Sequence, residues 1–216
     1  MAKILEVYDK KFKFDLFSSL LRDPNSSYDA FFLPKPISAE VVRKQRAVFL
    51  ERSDEEAFLA FMRAQYDLRT AIPMVYPHKT ISTPIGVLAC FSSRSSSSSR
   101  VLYRSAHDGL LRAGQICSIF SHIELITTHP SSRDKVRIFA KVNTYQRLSI
   151  QDSELDPERN FPGCGFRLHP SSFDSQPAFV ELENVLTRLA DAPSATLVQG
   201  CILTVDVTAV GELSTS

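Results

Sequence analysis

Between Asp134 and Ile150, cationic and aromatic side chains recur at every second position: Lys135, Arg137, Phe139, Lys141, Tyr145 and Arg147, with Asn143 among them. Val136, Ile138, Ala140, Val142, Leu148 and Ile150 fill the other parity. A period of two sends the two sets to opposite faces of a strand, one buried and one presented. Ammonium and guanidinium groups that meet phosphates release counterions, and a base stacked on Phe139 or Tyr145 would add ~1–3 kcal/mol. The same charges suit anionic lipid headgroups. The expected site is thus a polyanion-binding strand face, extended by Arg94, Arg100, Arg104 and Arg133 from flanking segments, with RNA or an anionic lipid as its partner. The competing account is that exposed strands alternate Lys, Arg and Thr to stay soluble and to discourage edge pairing.

Other residues of chemical interest form weaker sets. His107-Asp108 has the types of a base beside its orienting acid, and Cys90 or Cys164 those of a nucleophile. Such sets are assembled in space, so adjacency along the chain identifies none of them. His122, Glu124 and His129 would need more than their spacing to hold a metal. The alternating acids Asp152, Glu154, Asp156 and Glu158 depart from the calcium-loop pattern at Pro157 and lack its glycine. No Gly-rich phosphate loop, nucleophile elbow, His-Glu-x-x-His or dinucleotide fingerprint occurs, which disfavours the enzyme classes built on them. No catalytic residue, metal or cofactor is therefore assigned.

The charge is distributed unevenly. Lys and Arg against Asp and Glu number 11 and 11 over residues 1–67, 11 and 3 over 68–150, and 3 and 10 over 151–216. This asymmetry bears on partners and self-association rather than on fold. It also allows basic and acidic strands to neutralise one another inside one sheet. The four cysteines, Cys90, Cys117, Cys164 and Cys201, lack the close spacing of a zinc or dithiol motif and read as reduced and buried. No run of 18 apolar residues is present, and charges from Lys3 to Asp15 interrupt any signal core. The expected location is cytoplasmic or nuclear, not secreted.

The elements that must position the basic face follow from periodicity. The 216 residues, 44% of them hydrophobic, suit a single domain. Residues 1–37 hold two short strands and the arm Phe31-Phe32-Leu33-Pro34-Lys35-Pro36, which the prolines keep extended. A helical pair follows over 38–71: Ser38 caps a helix over Ala39–Arg52, and Ser53 with Glu56 makes a capping box for a second with the stripe Phe58, Phe61, Met62. Residues 72–150 form the basic β segment, interrupted by the serine loop Ser92–Arg100, a surface insertion whose phosphorylation would invert its charge. Gly109–Gly114 marks a break. Gln115–Thr128 and Asp134–Ile150 then make the spine hairpin. Residues 151–216 contribute an acidic loop, a helix over 177–190 with the stripe Phe179, Leu182, Val185, Leu186 and Leu189, and a final strand.

The sum is an α+β fold, an antiparallel sheet of about five to seven strands with an N-terminal helical pair and a C-terminal helix packed on it. The function expected is a non-enzymatic, polyanion-binding, self-associating structural or assembly protein. Viral matrix, movement or capsid proteins share this profile by analogy of role. The opposite-charge segments would pair copies into a homo-oligomer. The alternatives are a protein adaptor using the Phe31–Pro36 arm or a sheet edge, and an enzyme using His107, Asp108 and a cysteine.

Overall fold

A computed structural model of the chain describes residues 38–66, 72–91, 98–124, 134–160, 165–191 and 200–207. The two N-terminal strands and the Phe31–Pro36 arm lie outside these residues, as does most of the serine loop. The architecture is mostly antiparallel sheet with a few helices. Helix α1 (Ala39–Arg43) precedes strand β1 (Val48–Phe49), helix α2 (Arg52–Tyr66), and strands β2 (Met74–His78), β3 (Thr80–Thr83), β4 (Gly86–Ala89) and β5 (Arg100–Arg104). Strands β6 (Leu111–Glu124) and β7 (Lys135–Thr144) are followed by short helices α3 (Ile150–Ser153) and α4 (Pro157–Asn160), then by β8 (Phe166–Pro170), β9 (Ala178–Glu181), β10 (Val185–Asp191) and β11 (Cys201–Asp206). Among the described residues these strands form a nine-stranded sheet and the separate β3–β4 hairpin.

Strand β6 is the axis of the sheet. One of its edges carries β5 along Leu111–Gln115 and β2 along Ile119–Ser121, and the other carries β7 from Gly114↔Thr144 to Glu124↔Lys135. Beyond β7 lies β9, and beyond β5 lies β10. A three-residue 3-10 turn, Leu182–Asn184, is all that joins β9 to β10. On a flat sheet β9 and β10 would stand four strand spacings apart, about 19 Å. The four residue steps from Glu181 to Val185 reach about 14 Å at most. The sheet must therefore curl until its two flanks approach, so that β5, β6, β7, β9 and β10 wrap a small barrel-like core, although among the described residues β9 and β10 do not pair. Val101, Tyr103, Ile116, Ile119, Ala140, Val142, Val180 and Val185 fill its interior, and the β3–β4 hairpin adds Ile81 and Leu88.

This turn explains the clearest departure from expectation, the helix over 177–190. The spacing Leu182–Val185 has a helical look because the 3-10 turn inserts one extra residue and shifts the phase. Val185, Thr187 and Leu189 are then buried at every second position, and a bulge between Val185 and Thr187 puts Val185 in the core with Tyr103 and Leu189 in the separate cluster with Leu102. The first helix is also shorter than expected. Ser38 caps it as anticipated, its side chain accepting from Val41 N. It stops at Arg43, however, and Val48–Phe49 joins the sheet beside β2, at Val75 and Met74. The helical pair is thus one turn and one true helix.

Helix α2 lies on the outer face of the barrel wall. Phe58 is fully buried, and its ring meets Phe120, Phe139 and Phe179 edge-on at centroid distances of 5.4, 5.3 and 5.3 Å. Met62 and Val75 complete this second core. Strand β7 is consequently covered on both faces, with Ala140 and Val142 turned into the barrel and Phe139 turned to the helix.

Candidate polyanion-binding site

The cationic face of β7 is not presented to solvent, because α2 occupies it. Phe139 has no exposed surface. Lys141 Nζ donates to both oxygens of Asp54, at 2.7 and 2.6 Å, in the first turn of α2. Arg137 donates from Nε to Glu124 at 3.1 Å and from Nη1 to Glu181 at 3.0 Å. Burial works against this guanidinium's charge, and the two carboxylates outweigh it, holding the group firmly protonated. Arg43 pairs with Asp134 in the same way, across α1 and the start of β7. Lys141 and Arg137 of the basic segment thus meet Asp54 and Glu181 from the other two, as internal neutralisation requires, while Arg137–Glu124 lies within the basic segment and Arg43–Asp134 runs the opposite way.

Tyr145 is buried as well. Its ring stacks on Phe173, at 4.9 Å, and on His169, at 5.4 Å, while its hydroxyl accepts from Arg100 Nε at 3.1 Å. At 6% exposure the ring has no open face to offer a base. Of the remaining expected residues, Arg94 and Arg133 lie outside the described stretches. Lys135 is exposed at one end of β7, whereas Arg104 and Arg147 are exposed at the other. The structure therefore divides the expected set between the two ends of the strand and a buried middle.

The end bearing Arg104 and Arg147 has a shape of its own. Strands β5 and β6 are joined by a loop that Ser105 and Leu110 close, Ser105 N donating to Leu110 O at 2.9 Å. Gly109 sits in the loop at φ +69°, a left-handed conformation that suits glycine. Asp108 takes Arg112 Nη2 at 2.6 Å and lies 4.0 Å from Arg147 Nη2. Hydrogen bonds, that of Arg112 first, hold the Asp108 carboxyl far below the usual carboxylate range. Leu110 and Leu111 follow immediately and are 52% and 47% exposed. These leucines were not singled out from sequence. Two adjacent leucines right after a turn violate strand alternation, and that signal marks them.

Among the described residues the catalytic alternative finds no support in the geometry of its members. Asp108 is held by Arg112 and by the Leu110 amide, and His107 is exposed beside it. Burial pushes the Cys90, Cys117 and Cys201 thiols up, away from the thiolate form a nucleophile uses. Cys164 lies outside the described residues. Among the described residues no three His, Cys, Asp or Glu side chains come together as a metal site. No described helix is long and apolar enough to cross a membrane. No family model, curated protein or solved structure matches the chain.

Proposed function

We propose that this is a non-enzymatic assembly protein that self-associates and applies the β5–β6 end of its barrel to an anionic lipid surface. The observation that carries the reading is the exposure of Leu110 and Leu111 beside Arg104 and Arg147. Two half-exposed leucines entering the acyl boundary would each gain ~1 kcal/mol, about half the value for a fully exposed side chain, and each nearby arginine ~1 kcal/mol from anionic headgroups. Lipid is favoured over RNA because base stacking needs open ring faces, and Phe139 and Tyr145 offer none. Three arginines at this end, Arg104, Arg112 and Arg147, stand against Asp108 and Asp174, so attraction to an anionic surface is modest and the leucines supply most of the binding.

Flotation with phosphatidylserine-containing and with neutral vesicles tests this. The wild type should float with the anionic vesicles and lose binding as salt rises. Leu110→Ser/Leu111→Ser should stay with the soluble fraction while keeping its urea midpoint. Binding to single-stranded RNA but not to vesicles would replace lipid with nucleic acid. Binding to neither would remove the polyanion from the reading altogether.

A further inference from the structure

Strand β1 forms one border of the sheet, and among the described residues only one of its edges, the one facing β2, is occupied. Val48 lies opposite Val75 and Phe49 opposite Met74. Leu50 N donates to Pro73 O at 3.2 Å, so Leu50 and, by antiparallel alternation, Val48 turn their backbone groups toward β2. Phe49 accordingly directs its N–H and C=O to the open edge. Its side chain is 72% exposed, Val48 is 37% exposed, and Ile72, next to the β2 side of this pair, is 49% exposed. An open strand edge with exposed apolar side chains is a template for another strand.

The charges on either side of β1 identify which strand. Lys44 and Arg46 precede it and are exposed; Glu51, Arg52, Glu55 and Glu56 follow it, and because Arg52 pairs with Glu56 at 3.7 Å, the acids left over on this flank are the exposed Glu51 and the half-buried Glu55. Their neighbours Arg43 and Asp54 are already committed, to Asp134 and Lys141. In an antiparallel pair of identical strands, the segment before β1 in one copy runs beside the segment after β1 in the other. The basic flank then meets the acidic flank twice, once on each side of the two-fold axis. Parallel pairing would set like charges together.

We propose that β1 is the self-association edge of this protein: a second copy adds its own β1 antiparallel about a two-fold axis at Phe49, continuing the sheet from one subunit into the next. The proposal rests on the self-association named above and gives it a site. The open edge supplies backbone hydrogen bonds, the paired Phe49 rings supply apolar contact across the axis, and the order of charges fixes the direction. The interface also leaves the lipid-facing end free, since β2 pairs with β6 at Ile119–Ser121, well along the strand from Leu111.

Sedimentation equilibrium of the full chain tests it, with Lys44→Glu/Arg46→Glu, Glu51→Lys/Glu55→Lys and Phe49→Asp beside the wild type. The first variant carries acids on both flanks and the second carries bases on both. The wild type should be a salt-sensitive dimer, each charge variant alone a monomer, and their equimolar mixture a heterodimer. Phe49→Asp should be monomeric, with an unchanged urea midpoint because the side chain is exposed. Rescue on mixing cannot come from misfolded chains. A dimer that persists in both charge variants and in Phe49→Asp would overturn this interface and leave self-association standing. A wild type monomeric throughout would overturn both. A mixture that stays monomeric, with both components at the wild-type urea midpoint, would overturn the charge-directed pairing.

Discussion

The guanidinium of Arg137 sits over the ring of Tyr66, with Cζ 3.9 Å from the ring centroid. The same group bridges Glu124 and Glu181, and the Tyr66 hydroxyl donates to the other oxygen of Glu181. Burial first, and Glu181 next, push the Tyr66 phenol well above its usual range, so it remains a donor at any physiological pH. Four elements, α2, β6, β7 and β9, are joined through this one cation.

Arg137→Ala should therefore act on stability. It leaves two largely buried carboxylates without their counter-charge, and removing one partner of such a pair costs about 3 kcal/mol. Arg137→Lys should recover only part of this, because an ammonium cannot hold both acids and also lie over the ring. Urea denaturation measures both. A loss under about 1 kcal/mol in Arg137→Ala would show that the cluster behaves as an ordinary surface pair.

Phe58 predicts a second large effect. Its ring is the shared partner of Phe120, Phe139 and Phe179, which come from three different strands. Phe58→Ala should cost ~3–5 kcal/mol, through lost apolar burial and the cavity left between helix and sheet. Phe58→Leu should cost clearly less. Equal urea midpoints for the two variants would mean that α2 collapses onto the sheet and fills the space.

What the sequence made legible is what depends on local period. The β6–β7 hairpin, the apolar stripe of α2 and the cap at Ser38 were all readable, because each is set by residues close together in the chain. Two things were not. The parity of β7 is unmistakable, but parity says only that its faces differ. Which face meets water depends on where α2 lands, and Phe58 lies 81 positions from Phe139. A run such as Lys135, Arg137, Lys141 is written identically whether its charges meet solvent or meet Asp54 and Glu181. The second failure was Leu182–Val185, where a three-residue turn between strands imitates helical spacing. Only the long-range pairing of β9 with β7 and of β10 with β5 separates the two.

Acid should weaken the fold through His169. Burial first, and then the charge of Arg167, push this imidazole down to about 4, while its ring stacks on Tyr145 and Nε2 lies 3.2 Å from Thr204 Oγ1. In the unfolded chain it titrates near 6.5. Its contribution is thus fully present above about pH 6.5 and lost as pH falls toward 4, where the unfolded chain takes a proton that the folded one refuses. The slope from one such group is at most ~1.4 kcal/mol per pH unit. Burial lowers His122 and His78 in the same direction. Urea midpoints from about pH 7 to about pH 4.5 should fall for the wild type, and fall less steeply for His169→Phe, which keeps a ring in the stack without a proton site. Identical slopes would place His169 in water rather than in the stack.

The two kinds of cation should separate cleanly by what they affect. Lys141 is held by both oxygens of Asp54 in the first turn of α2, and Arg147 has a side chain 77% exposed at the hairpin end. Lys141→Ser removes the partner of a half-buried carboxylate and should lower stability by ~1–3 kcal/mol, with vesicle binding unchanged while the chain is folded. Arg104→Ser/Arg147→Ser touches only exposed side chains, so its urea midpoint should move by less than about 0.5 kcal/mol. Its affinity for anionic vesicles should drop roughly tenfold or more, at ~1 kcal/mol per basic residue near the surface. Flotation and urea melts on the same preparations read both quantities. If Lys141→Ser weakened vesicle binding as much as the arginine pair does, the Lys141–Asp54 pair would have to open at the membrane, and α2 would have to leave the β7 face for the strand to act as the site.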